Sequence, residues 1–183
     1  MNRALFITIH MYLSAFFAVF VLLVATSGGL YLAGYKGSVE STEVFSGDDT
    51  AGLSELSGDA LEQAVAELLG RVGAEGYRFE YLKVKGDDLY TRPTSRVHYK
   101  IELDDEEVTV TRREPNLQSA MMELHMGHGP LAFKTFQKVF AVGMLFIIIS
   151  GLWLGLSAAR LRVRTLAAAG SGAALFFVAV LFL

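Results

Sequence analysis

The sequence predicts an α-helical membrane protein with three transmembrane helices and a small α+β extracytoplasmic domain, one helix on an antiparallel sheet. Three observations carry that expectation. Long stretches near both ends of the 183-residue chain lack charged side chains, and all 19 acidic residues fall between Glu40 and Glu123. Within that acidic region the apolar period changes from helical to alternating. The chain is 52% hydrophobic and 19% charged, too apolar for an ordinary soluble domain and too charged for bare spans. Lys36 to Glu123 sets 10 basic residues against the 19 acids, a net of −9, while the rest holds six basic residues and no acid. That pattern argues against a nucleic-acid surface and for a chain sorted by a lipid bilayer. Without cysteine, disulfides, thiolate metal sites and thiol catalysis are ruled out. Any cofactor is held by His, Met, carboxylates or backbone.

Residues 1–35 read as the first span: no Asp, Glu, Lys or Arg occurs from Ala4 to Tyr35, and ~20 apolar residues cross ~30 Å of hydrocarbon. A cleaved secretory leader is the competing reading, but its apolar core has only about 7–15 residues. Residues 36–56, rich in Gly, Ser, Thr and Asp, read as a linker. The polar domain covers 57–115. Ser57 is placed to cap a helix of about 12 to 14 residues, with Leu61, Val65, Leu68, Leu69 and Val72 on one face. Gly70, Gly73 and Gly76 supply its stops, and Tyr77, Phe79 and Tyr81 then alternate with Arg78 and Glu80 as a half-buried strand. After a turn at Gly86-Asp87-Asp88, the pieces Leu89 to Arg92, Val97 to Leu103 and Val108 to Arg112 complete a three- or four-stranded sheet. The run Asp104-Asp105-Glu106-Glu107 reads as a solvated hairpin turn, because it lacks the spaced ligands and central Gly of a calcium loop.

Residues 116–138 form an interfacial segment containing His and Met, 139–159 the second span, 160–164 an arginine loop and 165–183 the third span. Gly151, Gly155 and Ala159 recur every fourth residue. With Ala168, Gly170, Gly172 and Ala174 in the third span they predict a tight antiparallel hairpin. The stripe Ala25, Gly29 and Ala33 is expected to face another chain. Three arginines and no acid in the short loop place it in the cytoplasm. The N-terminus is then cytoplasmic, and residues 36–138 and the C-terminus lie outside. In a Gram-negative bacterium the membrane is the inner one and the outside is the periplasm.

Few residues offer chemistry. His10 sits within the first span, where an ionisable side chain is a functional candidate by default, and the plainer alternative is an interfacial anchor. Met121, His125, Met126 and His128 crowd together just before the second span. Imidazole and thioether together suit haem iron or copper, and the alternative is an interfacial helix with histidines at headgroup level. On a helix His125 and His128 would share a face, as would Met121 and His125. His98, between Val97 and Tyr99, should project from the solvated face of its strand with Lys100 and Glu102. No Ser-His-Asp spacing, HExxH, Walker loop or GxGxxG occurs, so hydrolase, zinc-protease and nucleotide readings have no motif behind them. Most of ~30 Å of hydrocarbon separates His10 from His125 and His128, so they cannot ligate one iron in one chain. A bis-His haem would pair His125 with His128, pair one histidine from two subunits, or borrow a partner's ligand.

A first span opening on His10 (IHMYLSAFFAVF) and ending SGGLYL, followed by LHMGHG ahead of a second span ending SGLWLG, resembles the PepSY-associated transmembrane family. The resemblance covers nearly the whole chain, and residues 57–115 look like a PepSY domain in pattern. It implies a small single-PepSY member related to membrane proteins of the periplasmic ferric-siderophore reductase type. The larger members have four or more spans and two such domains, and some carry b haem. This chain has three spans, one domain and four histidines. The implied function is an accessory, haem b-binding component of periplasmic iron or metal handling or electron transfer. His10, His125 and His128 are then the cofactor residues, and His125, His128, Met121 and Met126 the metal-ligand set, with copper ranking behind haem. The alternative is a non-catalytic, membrane-anchored module whose exposed strand edge holds a periplasmic peptide, a peptidase or a larger membrane subunit. The expected partners are the bilayer and either a second copy or a larger subunit.

Overall fold

The computed structural model describes residues 3–49, 52–104 and 107–182. From the N-terminus the elements are α1 (Arg3–Leu32), β1 (Val39–Asp48), a 3₁₀ turn (Leu53–Glu55), α2 (Gly58–Arg71), β2 (Tyr81–Lys85), β3 (Asp88–Arg92), β4 (His98–Asp104), β5 (Glu107–Pro115), α3 (Leu117–His125), α4 (Leu131–Ser157) and α5 (Arg162–Phe182). Helices α1, α4 and α5 are long and apolar enough to cross a membrane, and they are the three expected spans. Two boundaries move. The second helix begins at Leu131, not 139, with the Pro130 carbonyl accepting from Lys134 N at 2.9 Å. Lys134 and Lys138 are carried on it because a lysine stem lies along apolar surface while its ammonium reaches polar surroundings. The third helix begins at Arg162, which leaves residues 158–161 as the turn and puts Arg162 and Arg164 on the helix.

The chain divides into two compact units, Met1–Val19 with Lys138–Leu183 and Phe20–Gln137. In the first, α1 runs antiparallel to α4 through aromatic contacts. Phe6 stacks edge-on to Trp153 with ring centroids 4.8 Å apart, and Phe17 meets Phe140 at 5.4 Å. Phe17 is 3% exposed because Gly143 leaves room for its ring against the α4 backbone. The expected small-residue hairpin is confined to one contact. A Cβ on Gly155 would come 2.5 Å from Thr165 Oγ1, whereas Gly170 and Gly172 have nothing within 4 Å. Gly151 faces α1 instead.

The second unit is built on a five-stranded antiparallel sheet of order β1-β5-β4-β3-β2, against an expected three or four strands. Alternation along the central strands sends Leu89, Tyr99, Ile101, Val108 and Val110 to one face, where Leu61, Val65 and Leu69 of α2 close the core. Burial of these side chains is the main stabilising term, at ~25 cal/mol per Å² of apolar surface. Residues 39–48 form a ten-residue edge strand where a linker is expected. β1 pairs with β5 from Val39↔Pro115 to Asp48↔Glu107, with a bulge at Glu43/Phe45. Its side chains are mostly exposed, and a polar edge strand shows no alternation to read. Tyr77 and Phe79 lie outside any strand. Tyr77 packs edge-on to Tyr99 at 4.8 Å and its hydroxyl bonds Thr91 Oγ1 at 2.8 Å. Asp104 pairs with Glu107 across β4 and β5, while Asp105 and Glu106 of the acidic turn lie outside the described residues.

Candidate functional site

The sequence places its histidines near the helix ends, and the structure gives two of them the same local partner set. Asn116 caps α3 by accepting from Ser119 N at 2.9 Å, and Gln137 Nε2 donates to Leu124 O at 2.7 Å near the other end. So held, α3 presents His125 to α1. His125 Nδ1 lies 3.1 Å from Ser27 Oγ, and Ser27 Oγ also donates to Val24 O at 3.2 Å. A hydroxyl has one proton. With that proton on Val24 O, the contact with His125 is a hydrogen bond only when Nδ1–H is the donor. The imidazole lies over Gly28, where a Cβ would stand 3.2 Å from His125 Cε1.

In the other unit His10 Nδ1 lies 2.7 Å from Ser150 Oγ, and Ser150 Oγ donates to Ile147 O at 3.0 Å. The ring lies over Gly151, whose Cβ would be 3.3 Å from His10 Cε1. Ser27 is 0% and Ser150 1% exposed, so each hydroxyl is buried with its bonds made. In both sites a His–Ser–Gly arrangement holds Nδ1 and leaves Nε2 without a hydrogen-bond partner among the described residues. The sequence carries a signal for this pairing: Ser27-Gly28 runs into Leu30-Tyr31-Leu32, and Ser150-Gly151 into Leu152-Trp153-Leu154. Neither serine stands out as a site residue in the sequence.

The remaining candidates separate. Gly127, at φ +79°, ends α3, so His128 leaves the helical face that would have aligned it with His125. Its Nδ1 lies 2.9 Å from Glu123 Oε2. Met121 stays on α3 one turn before His125, while Met126 lies just past the helix and is half exposed. No group of three or more His, Asp or Glu side chains suited to a metal ion is found among the described residues.

His98 is corrected outright. It does project opposite Tyr99 and Ile101, but that face is covered and His98 is 4% exposed. Its Nδ1 bonds Arg96 O at 2.9 Å. Burial holds its pKa below the ordinary histidine value; Arg113 and Arg92 push the same way, and the Arg96 carbonyl and Glu123 oppose them. It lines a polar pocket with Arg92, Arg113, Ser119, Glu123 and His128.

His10 and His125 share one local chemistry, an imidazole held at Nδ1 by a buried serine and packed on a glycine. An imidazole anchored through Nδ1–H is fixed in ring orientation and keeps its Nε2 lone pair for a metal. His128, with Nδ1 on Glu123, is joined to a different network from His125.

Comparison with known proteins agrees with the architecture. No curated protein and no solved structure matches the chain. A family model described as PepSY_TM-like matches residues 83–183, from within β2 to the end of the chain, taking in β3–β5 and all of α3, α4 and α5. The match covers more than half of the sequence, and the chain is a membrane protein belonging to the PepSY_TM-like family.

Proposed function

We propose that this protein is an accessory, haem b-binding component of iron or metal handling at the bacterial inner membrane, in which His10 and His125 would hold the haem. The observation that carries the reading is the serine-held imidazole: at each site Nδ1 is tied to a buried hydroxyl and the ring rests on a glycine. Buried Ser27 and Ser150 hold the rings in place, and the adjacent glycines keep space for them. Each site contributes one imidazole, so the second ligand comes from a second copy of the chain or a larger membrane subunit. When bound, haem would supply one-electron exchange. The arginines at 160, 162 and 164 favour a cytoplasmic N-terminus, with the sheet domain and the C-terminus periplasmic.

The test is an absorption spectrum of the detergent-purified chain, air-oxidised and then dithionite-reduced, with iron and copper quantified on the same sample. A Soret band that sharpens on reduction, at one haem per chain or per dimer, is expected, and His125→Ala should remove much of it. A colourless, metal-free protein from haem-replete cells overturns the reading. Copper without haem would move the ligand set to Met121 and His125.

A second reading has its own support. β1 and β2 are both sheet edges, and beside β1 a groove of about 570 Å³ is lined by Phe45, Leu53, Leu68 and Val72 with Asp48 and Glu67 at hand. An edge strand beside a half-apolar groove suits an extended peptide. In that role the protein is a non-catalytic module holding a periplasmic peptide, a peptidase or a larger subunit. Replacing His10 and His125 together by Ala should then leave partner crosslinking through β1 intact.

A further inference from the structure

The face of the sheet opposite α2 carries charged side chains beside Val39 and Tyr90. Arg92 on β3, His98 on β4 and Arg113 on β5 all line one pocket, with His98 directly opposite Arg113 in the ladder. Ser119 and Glu123 of α3, with His128, bound the other side of a cavity of about 150 Å³.

The charges do not balance. Among the described residues Glu123 is the only carboxylate lining this pocket, and its Oε2 already receives Thr94 Oγ1, His128 Nδ1 at 2.9 Å and, at 3.8 Å, Arg92 Nη1. Arg92 is 13% exposed at its side chain; its Nη1 donates to Thr94 Oγ1 at 2.7 Å, while its Nε is buried with no hydrogen-bond partner among the described residues. Arg113 is only partly exposed, and its guanidinium makes no hydrogen bond or ion pair among the described residues. Two guanidinium groups thus share one occupied carboxylate. Buried charge without a partner is costly, and a guanidinium fork matches the paired oxygens of a carboxylate or phosphate. The cavity holds about five times the ~30 Å³ share of one water molecule. That is room for one oxyanion group and too little for a nucleotide or a peptide.

We propose that this pocket binds a small oxyanion, a phosphate or carboxylate group, held by Arg92 and Arg113 and by the Ser119 hydroxyl. The site is separate from the His10 and His125 sites and stands whether or not haem is bound. Because its walls come from β3, β4, β5 and α3, an occupant ties the sheet to the helix that presents His125.

The test is calorimetric titration of the full chain, in phosphate-free non-ionic detergent, with inorganic phosphate against sodium chloride at matched ionic strength. A second arm uses a short-chain phosphatidylglycerol below its micelle concentration, to separate a free anion from a lipid headgroup. Saturable 1:1 binding of phosphate is expected, weakened at least tenfold by Arg113→Gln and by Arg92→Gln and less by Arg113→Lys. Arg113 has no partner to lose, so Arg113→Gln should melt no lower than wild type without phosphate. Saturation by the lipid alone, lost in Arg113→Gln, supports the same site with a headgroup as its source. No saturation in either arm, or equal binding by Arg113→Gln, overturns the proposal.

Discussion

His10 Nδ1 sits 2.7 Å from Ser150 Oγ, a hydrogen bond between two membrane-spanning helices whose serine is 1% exposed. Such interhelical bonds contribute ~0.6 kcal/mol on average and up to ~1.7 in membranes. Ser150→Ala leaves His10 Nδ1 without this partner and is expected to destabilise the helix pair by about 0.5–1.5 kcal/mol. It also frees the ring to change tautomer. ¹⁵N shifts of labelled histidine read that directly: wild-type His10 should show a protonated Nδ1, and Ser150→Ala should move the signal toward protonated Nε2. An unchanged spectrum would show that the serine does not set the tautomer.

The same argument applies to His125 through its glycine. A Cβ at Gly28 would stand 3.2 Å from His125 Cε1, tighter than ordinary contact, so Gly28→Val must displace the ring and lengthen its bond to Ser27. The His125 resonance should shift as it does in Ser27→Ala. Gly29→Ala, one residue on with nothing within 4 Å, should leave it in place.

Gly37 makes a sharper steric prediction. It has φ +80°, and a Cβ there would come 2.5 Å from Ser119 N and 2.8 Å from Asn116 Oδ1. Gly37→Ala therefore meets both backbone strain, of order 1–3 kcal/mol, and a clash with the cap of α3. Hydrogen exchange at the Ser119 and Ala120 amides should accelerate, because both bond to Asn116. Unaltered exchange would mean that the connection to β1 does not support α3.

His98 ties stability to pH. Burial lowers its folded pKa below the unfolded value of about 6.5. Between those two values the unfolded chain binds the extra proton, so this contribution is complete above about pH 6.5 and is lost as pH falls below it. The slope is at most ~1.4 kcal/mol per pH unit. His98→Gln should flatten the acid side of the stability profile of the sheet domain. A profile as steep as wild type would assign the acid loss to other groups.

Leu69 is 1% exposed and packed in the α2–sheet core. Leu69→Ala is expected to cost ~2–5 kcal/mol, as buried leucine truncations do. For so small a domain this is a large share of total stability, seen as early cleavage in limited proteolysis. Resistance equal to wild type would place the stabilising contacts elsewhere.

The sequence by itself determined whatever depends on local periodicity. Uncharged runs of span length produced the three apolar helices, and the face Leu61, Val65 and Leu69 produced α2, whose N-cap Ser57 makes no side-chain capping bond. Alternation through Tyr99, Ile101, Val108 and Val110 produced the central strands, because one face of a strand or helix must be apolar for it to have a core at all. Contacts between distant segments were a matter for the tertiary structure. β1 is polar because an edge strand draws its order from the backbone ladder with β5, which leaves no side-chain pattern to read. The alternation at His98 was legible, but burial of its face depends on α3, about twenty residues further on. Gly151 was legible as a small residue, but its use as a seat for His10, across 141 positions, was not. The same holds for Ser27 and His125: a hydroxyl and an imidazole far apart in the chain become a pair only when two helices bring them within 3.1 Å.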